Sequence, residues 1–98
     1  MTYSVRIRAK ARVDLAEAGR WYEAQRVGLG ARFIDEVYAV LELLSGQPLG
    51  YTEVLSGTRR ALLHGFPFGI YYRIVGATIS IIAILHSSRH PNRWTQRT

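Results

Sequence analysis

The 98-residue sequence contains no cysteine, which excludes disulfides and thiolate-bound metal and leaves a reducing cytosol open as its compartment. Lysine is almost as scarce: Lys10 stands alone among thirteen basic residues. The other twelve are arginine, whose planar fork grips phosphates and carboxylates in a way that lysine cannot. No apolar run approaches the ~20 residues that a membrane span requires. The opening stretch MTYSVRIRAKAR alternates and is charged where a signal peptide would be apolar, so the expectation is a soluble, cytoplasmic protein. Acids run out early. All seven lie between Asp14 and Glu53, and the seven basic residues of positions 1–53 balance them. Arg59, Arg60, Arg73, Arg89, Arg93 and Arg97 follow with no acid at all, so the whole net charge of +6 belongs to the second half. An unbalanced arginine field favours a polyanion or an acidic protein partner; the plainer account is solubility.

The patterning gives six elements. Tyr3, Val5 and Ile7 alternate with polar residues and predict a half-buried strand. Val13 to Arg26 reads as a helix with Leu15, Ala18 and Tyr22 on one face, and with Asp14 and Glu17 in a first turn where the dipole favours anions. Gly28 and Gly30 punctuate a short link. Ile34, Val37, Tyr38, Leu41 and Leu44 then repeat at helical spacing until Gly46 and Pro48 end the run, so two antiparallel helices are expected. From there the period is two. Arg59–His64, Phe68–Val75 and Thr78–His86 read as strands, the last two joined by a tight turn at Gly76-Ala77. The order β-α-α-β-β-β implies one small two-layer α+β domain over residues 1–98, a helical hairpin on one face of a mainly antiparallel sheet.

The opposite sheet face is expected to be partly open, with Tyr71 and Arg73 projecting there and Arg60 and His86 joining them. Aromatics mixed with arginines suit a ligand-binding concavity, although every two-layer fold has a solvated sheet face. The stretch ILHSSRHPNRW, residues 84–94, adds His86, Arg89, His90, Arg93 and Trp94. His86 and His90 titrate near neutrality and form a candidate acid–base pair. Pro91 and the absence of any acid after Glu53 argue against a metal site, and no cofactor is expected. His86 can equally be a histidine hydrogen-bonded at a strand end, and Trp94 an anchor folded back on the core.

In order along the chain, Ala11, Asp14 and Leu15, the aromatic pair Trp21-Tyr22, then Gly30, Ala31 and Phe33, then Thr58-Arg59-Arg60, Phe66-Pro67-Phe68-Gly69-Ile70-Tyr71-Tyr72 and His86-x-x-Arg89-x-Pro91-x-x-Trp94 resemble the RelE/ParE superfamily of type II toxin–antitoxin toxins. The last two segments look most like the ParE branch and its plasmid-stabilisation relatives. The resemblance implies a toxin held inactive in a hetero-oligomer with a cognate antitoxin, which would cover the arginine-rich face or the helical hairpin with an acidic, amphipathic segment. It implies one of two activities: binding and inhibition of DNA gyrase, as in ParE-like members, or metal-independent mRNA cleavage on the ribosome, as in RelE-like members. A non-toxic binding module of the same fold is a third outcome. For a nuclease the candidates are Arg89, His86 and Arg73. By the resemblance, Arg89 matches the last-strand arginine, the preceding strand's phosphate-binding arginine falls at Gly69, and Trp94 stands nearest the terminal tyrosine of several nucleases. For partner contact the candidates are Arg59, Arg60, Tyr71, Arg73, Arg89, Arg93 and Trp94.

Overall fold

The computed structural model describes residues 3–88. A short strand β1 (Ser4–Ile7) leads into helices α1 (Ala9–Gln25) and α2 (Leu29–Gly46). A single 3-10 turn at Pro48–Gly50 precedes four strands, β2 (Thr52–Leu55), β3 (Thr58–Leu62), β4 (Phe68–Val75) and β5 (Thr78–His86). The sheet order is β1-β5-β4-β3-β2, with β1 parallel to β5 and every other pair antiparallel. The expected two-layer α+β architecture is what forms, with β2 as an additional strand. No helix among the described residues is long and apolar enough to cross a membrane.

The two helices pack on one sheet face. Ala11, Leu15 and Ala18 of α1 and Phe33, Val37, Val40, Leu41 and Leu44 of α2 bury against Ile70, Tyr72, Ile79, Ile81 and Ile84. The α2 stripe is rotated slightly from the expected one: Phe33 and Val40 are buried, whereas Tyr38 is half out in solvent. The helices approach closely where Gly30 meets Gly19. A Cβ at Gly30 would stand 2.5 Å from the Gly19 carbonyl oxygen, so any larger residue would push the helices apart. Tyr22, Phe33, Phe66 and Phe68 stack edge-on and tilted beside this crossing, with ring centroids 4.8–5.9 Å apart.

Helix α1 starts four residues earlier than its apolar pattern predicts, because Ala-Lys-Ala-Arg continues a helix well without contributing to its stripe. Asp14 and Glu17 are therefore not in the first turn. Asp14 instead reaches β5, where Oδ2 accepts the Ile84 backbone N–H at 3.1 Å. Carboxylates are used this way repeatedly. Glu23 accepts the N–H groups of Gly28 (2.9 Å) and Gly30 (3.0 Å), capping α2 from the preceding helix. Glu36 accepts those of His64 (2.6 Å) and Gly65 (2.9 Å), tying the β3–β4 loop to α2. Glu53 accepts that of Gly57 (2.7 Å) in the β2–β3 turn.

Strand pairing between β4 and β5 is interrupted once. Tyr71 pairs with Ala83 but Tyr72 pairs with Ile81, which leaves Ile82 as an extra residue in β5. Such a bulge reverses which face every following side chain takes. Thr78 and Ser80 lie on the helix-free face; beyond the bulge that face receives Ala83 and Leu85, while Ile84 and His86 turn toward the helices.

Candidate functional site

Alternation along β1, β3 and β4 brings four arginines to the helix-free face of the sheet. Arg6 of β1 lies opposite Ser80, and Ser80 lies opposite Arg73 of β4, so these three form one row across the strands. Arg60 of β3 pairs with Tyr71 in the next row, and Arg8 follows Arg6 just beyond the end of β1. At ~4.8 Å between strands, Arg6 and Arg73 stand roughly 10 Å apart at their Cα atoms. Two unit charges at that distance repel by roughly 0.4 kcal/mol in water. Among the described residues, Glu53 is the single acid in any strand, and it faces the helix side beside Arg59 at 3.6 Å.

Two of these arginines are fixed by neighbouring hydroxyls. Arg8 donates from Nε to Ser80 Oγ at 2.7 Å, and Ser80 is buried. Arg73 donates from Nη1 to the fully buried Thr58 Oγ1 at 3.1 Å and lies over the β2–β3 turn. A Cβ at Gly57 would be 2.7 Å from Arg73 Nη2, and Gly57 adopts φ +79, so the turn and the guanidinium fit one another only with glycine there. Arg60 lays its stem across Gly69, with Cγ and Cδ 3.2 Å from where a Cβ would be. The space above the residue that carries no side chain is thus occupied by an arginine from the adjacent strand.

Several sequence expectations change at this point. Tyr71 does lie on the helix-free face, but at 4% exposure it forms a small apolar cluster with Ala83, Leu85 and Val54 rather than an open aromatic platform. Arg59 faces the other way. Its Nη1 donates to the carbonyls of Tyr51 (2.6 Å) and Leu49 (3.4 Å), so it braces the segment between α2 and β2. His86 is not on the arginine face, because the Ile82 bulge turns it toward α1. Its ring meets Phe68 edge-on at 5.5 Å, and Nδ1 accepts the Ser88 backbone N–H at 3.1 Å with Ser88 Oγ 2.8 Å away. The nuclease set is split accordingly. His86 pairs across from Phe68 and Arg73 from Ser80, five residues further along β4, or roughly 17 Å, and on opposite faces. Arg89, His90, Arg93, Trp94 and Arg97 lie outside the described residues. The sequence reading missed Arg6 and Arg8; their alternation with Val5 and Ile7 carried the signal.

A second surface lies between α1 and the β4–β5 end, an open groove of about 1260 Å³. Val13, Glu17 and Trp21 form one wall; Phe68, His86 and Ser88 form the other. Trp21 is 60% exposed and Val13 53%, an unusual outlay of apolar surface on a helix that already buries its other face. Tyr22 lines the same groove, and burial raises its phenol pKa. Tyr72 lies deeper, with its hydroxyl donating to the Pro48 carbonyl at 2.6 Å. Burial pushes its phenol up to about 12; the Arg59 guanidinium pulls the other way and Tyr51 adds to the rise. Among the described residues no three histidine, aspartate or glutamate side chains converge as a metal site requires.

Known structures share this architecture. The chromosomal ParDE toxin–antitoxin system from P. aeruginosa superposes with a TM-score of 0.78 at 19% identity, over 87% of this chain and 96% of that one. The toxin–antitoxin complex RelBE2 from Mycobacterium tuberculosis superposes with a TM-score of 0.58 at 26% identity, over 88% and 99%. No curated protein sequence matches. The sequence model of the family described as "ParE toxin of type II toxin-antitoxin system, parDE" matches residues 5–91.

Proposed function

Since this chain belongs to the ParE toxin family of type II toxin–antitoxin systems, we propose that it is a one-domain cytoplasmic toxin that acts by binding, with DNA gyrase as its target. The separation of His86 from Arg73 supports binding over RNA cleavage. Metal-free cleavage needs a base, an acid and phosphate-neutralising cations around one phosphodiester, and here His86 and Arg73 occupy different faces. The helix-free face offers guanidinium groups and hydroxyls, which bind anions but do not exchange protons near neutral pH.

The cognate antitoxin is proposed to lay an amphipathic helix into the α1 groove, in the helix-in-groove manner read as anchors at i, i+3, i+4 and i+7. The exposure of Trp21 and Val13 supports that placement. The deciding experiment induces the toxin without antitoxin and reads DNA supercoiling and mRNA integrity separately. Loss of supercoiling with intact transcripts is the expected outcome. Cleaved transcripts that become intact in an Arg89→Ala variant would replace this reading with the ribosome-dependent one, and normal growth with folded protein would replace both with a non-toxic binding module.

A further inference from the structure

We infer that residues 89–98 return across the helix-free face of the sheet and seat Trp94 on the cluster of Tyr71, Ala83 and Leu85. The inference is independent of whether gyrase is the target. It starts from burial that the described residues do not account for. Ala83 is 0% exposed, Tyr71 4% and Leu85 9%, yet no helix among the described residues lies on this side. Ser80 and Thr58 are buried on the same face, but Arg8 and Arg73 lie against them. Among the described residues, Val54 is the partly buried apolar side chain that packs against the cluster, and its strand β2 is three strands from β5.

Exposure along one row shows which side is covered. Leu62, Gly69 and Leu85 pair in line across β3, β4 and β5. Pairing to β1 reaches only Ile81 and pairing to β2 only Arg60, so both leucines stand at a margin of the sheet. On a bare face they would be alike. Leu62 is 51% exposed, against 9% for Leu85. Helix α1 flanks Leu85 across the groove, but Ala83 lies outside the groove lining and is buried more completely still. Arg8 has a partner in addition to Ser80, and Tyr71 makes an interaction besides its apolar packing, so neither is left for an outside ligand.

The segment that can supply the cover starts in the right place. Strand β5 ends at His86 and the chain turns at Ser87-Ser88, where the Ser87 N–H donates to the Pro67 carbonyl at 2.7 Å and His86 Nδ1 accepts the Ser88 N–H. Extended chain advances about 3.3 Å per residue, so Trp94 can reach roughly 20 Å from Ser88, whereas Ala83 lies roughly 16 Å back along β5. Pro91 and Trp94 are the apolar residues of this segment. A tryptophan buries about 150–250 Å², enough to cover an alanine and the flanks of its neighbours. Arg60, opposite Tyr71, offers its guanidinium to the indole face. Arg89 follows Ser88 at the groove that Asp14 and Glu17 line, where carboxylates offset its charge. Seated this way, the segment closes the helix-free face and leaves the groove beside α1 as the surface for a partner.

The test uses the purified full chain carrying Trp21→Phe, which leaves Trp94 as its single tryptophan. Trp21 is largely exposed, so the substitution spares the core. Acrylamide quenching of Trp94 should be about threefold weaker than in the urea-unfolded chain, with emission shifted to the blue, as for a ring taken out of water. Proton NMR should show nuclear Overhauser contacts from the Trp94 indole to the Ala83 methyl group. Leu85→Ala should raise the quenching toward the unfolded value, and Val13→Ala, on the far wall of the groove, should leave it unchanged. Quenching as strong as in the unfolded chain overturns the inference, and so does a protected Trp94 with no contact to Ala83. Contacts to Val13 or Phe68 in its place would overturn it by seating the segment in the groove. Contacts found only between differently isotope-labelled copies would overturn it by making the cover a second molecule.

Discussion

Replacing Tyr72 by phenylalanine removes one oxygen atom and keeps the ring. In the wild-type protein that oxygen donates to the carbonyl of the buried Pro48 at 2.6 Å, holding the turn after α2 against the sheet. Its loss leaves a buried acceptor unsatisfied, which costs about 1 kcal/mol. For a domain of this size that lowers Tm by roughly 4–8 °C at neutral pH. The pH dependence makes the test sharper. Burial raises the Tyr72 pKa to about 12, against an ordinary value of 10.0. The folded state therefore favours the protonated phenol, and the stabilisation is complete below pH 10. It is lost as pH climbs from 10 through 12, because the unfolded chain releases its proton first. Linkage between those two values removes about 1.4 kcal/mol by pH 11 and about 2.3 kcal/mol by pH 12. Wild type should therefore lead Tyr72→Phe by about 1 kcal/mol at pH 8, match it at about pH 10.7, and fall behind above that. Paired urea titrations at each pH measure the gap, and subtraction cancels the other tyrosines. A gap that stays constant from pH 8 to pH 11.5 would refute the argument that burial governs this phenol.

Three further substitutions probe other parts of the design. Glu36→Ala removes the acceptor for the His64 and Gly65 N–H groups and should cost about 2 kcal/mol in urea unfolding, with hydrogen exchange accelerated at those two amides. Gly57→Ala forces a side chain into φ +79 and against Arg73, so a loss of about 1–2 kcal/mol is expected; an unchanged thermal melt would mean that the turn relaxes freely. Trp21→Ala should change folding stability by no more than about 0.5 kcal/mol, because its ring is largely exposed, yet weaken antitoxin binding by at least about 2 kcal/mol in calorimetry.

Much of the fold was legible where one period dominated a segment. Phe68–Val75 and Thr78–His86 show the expected strand bounds, with Gly76-Ala77 between them, because alternation and turn chemistry agree there. Helix α2 was legible from its stripe, but the stripe's rotation was not, since α2 faces both the sheet and α1. Strand β2 left no signal. Its four residues alternate poorly, and ladder bonds to β3, aided by Arg59 with Glu53, hold it in place. The parallel pairing of β1 with β5 joins residues more than seventy positions apart, which no local pattern encodes. At the site, simple alternation placed Arg60 and Arg73 on the helix-free face and failed at His86, because a bulge is a property of the pairing rather than of the sequence IIAIL. Tyr71 likewise packs with Val54, from the strand that left no trace.

The bulge at Ile82 gives the end of β5 a sensitivity that its surroundings lack. A residue added to a loop lengthens the loop and little else. A residue removed at position 82 would restore the two-residue period and exchange the environments of Ala83, Ile84, Leu85 and His86 in one step. His86 would then share a face with Arg60 and Arg73, and Leu85 would turn to the side that the helices cover. A scaffold built this way keeps a titratable group and its guanidinium partners one codon from co-facial. Which chemistry such a sheet presents is set as much by strand length as by residue choice.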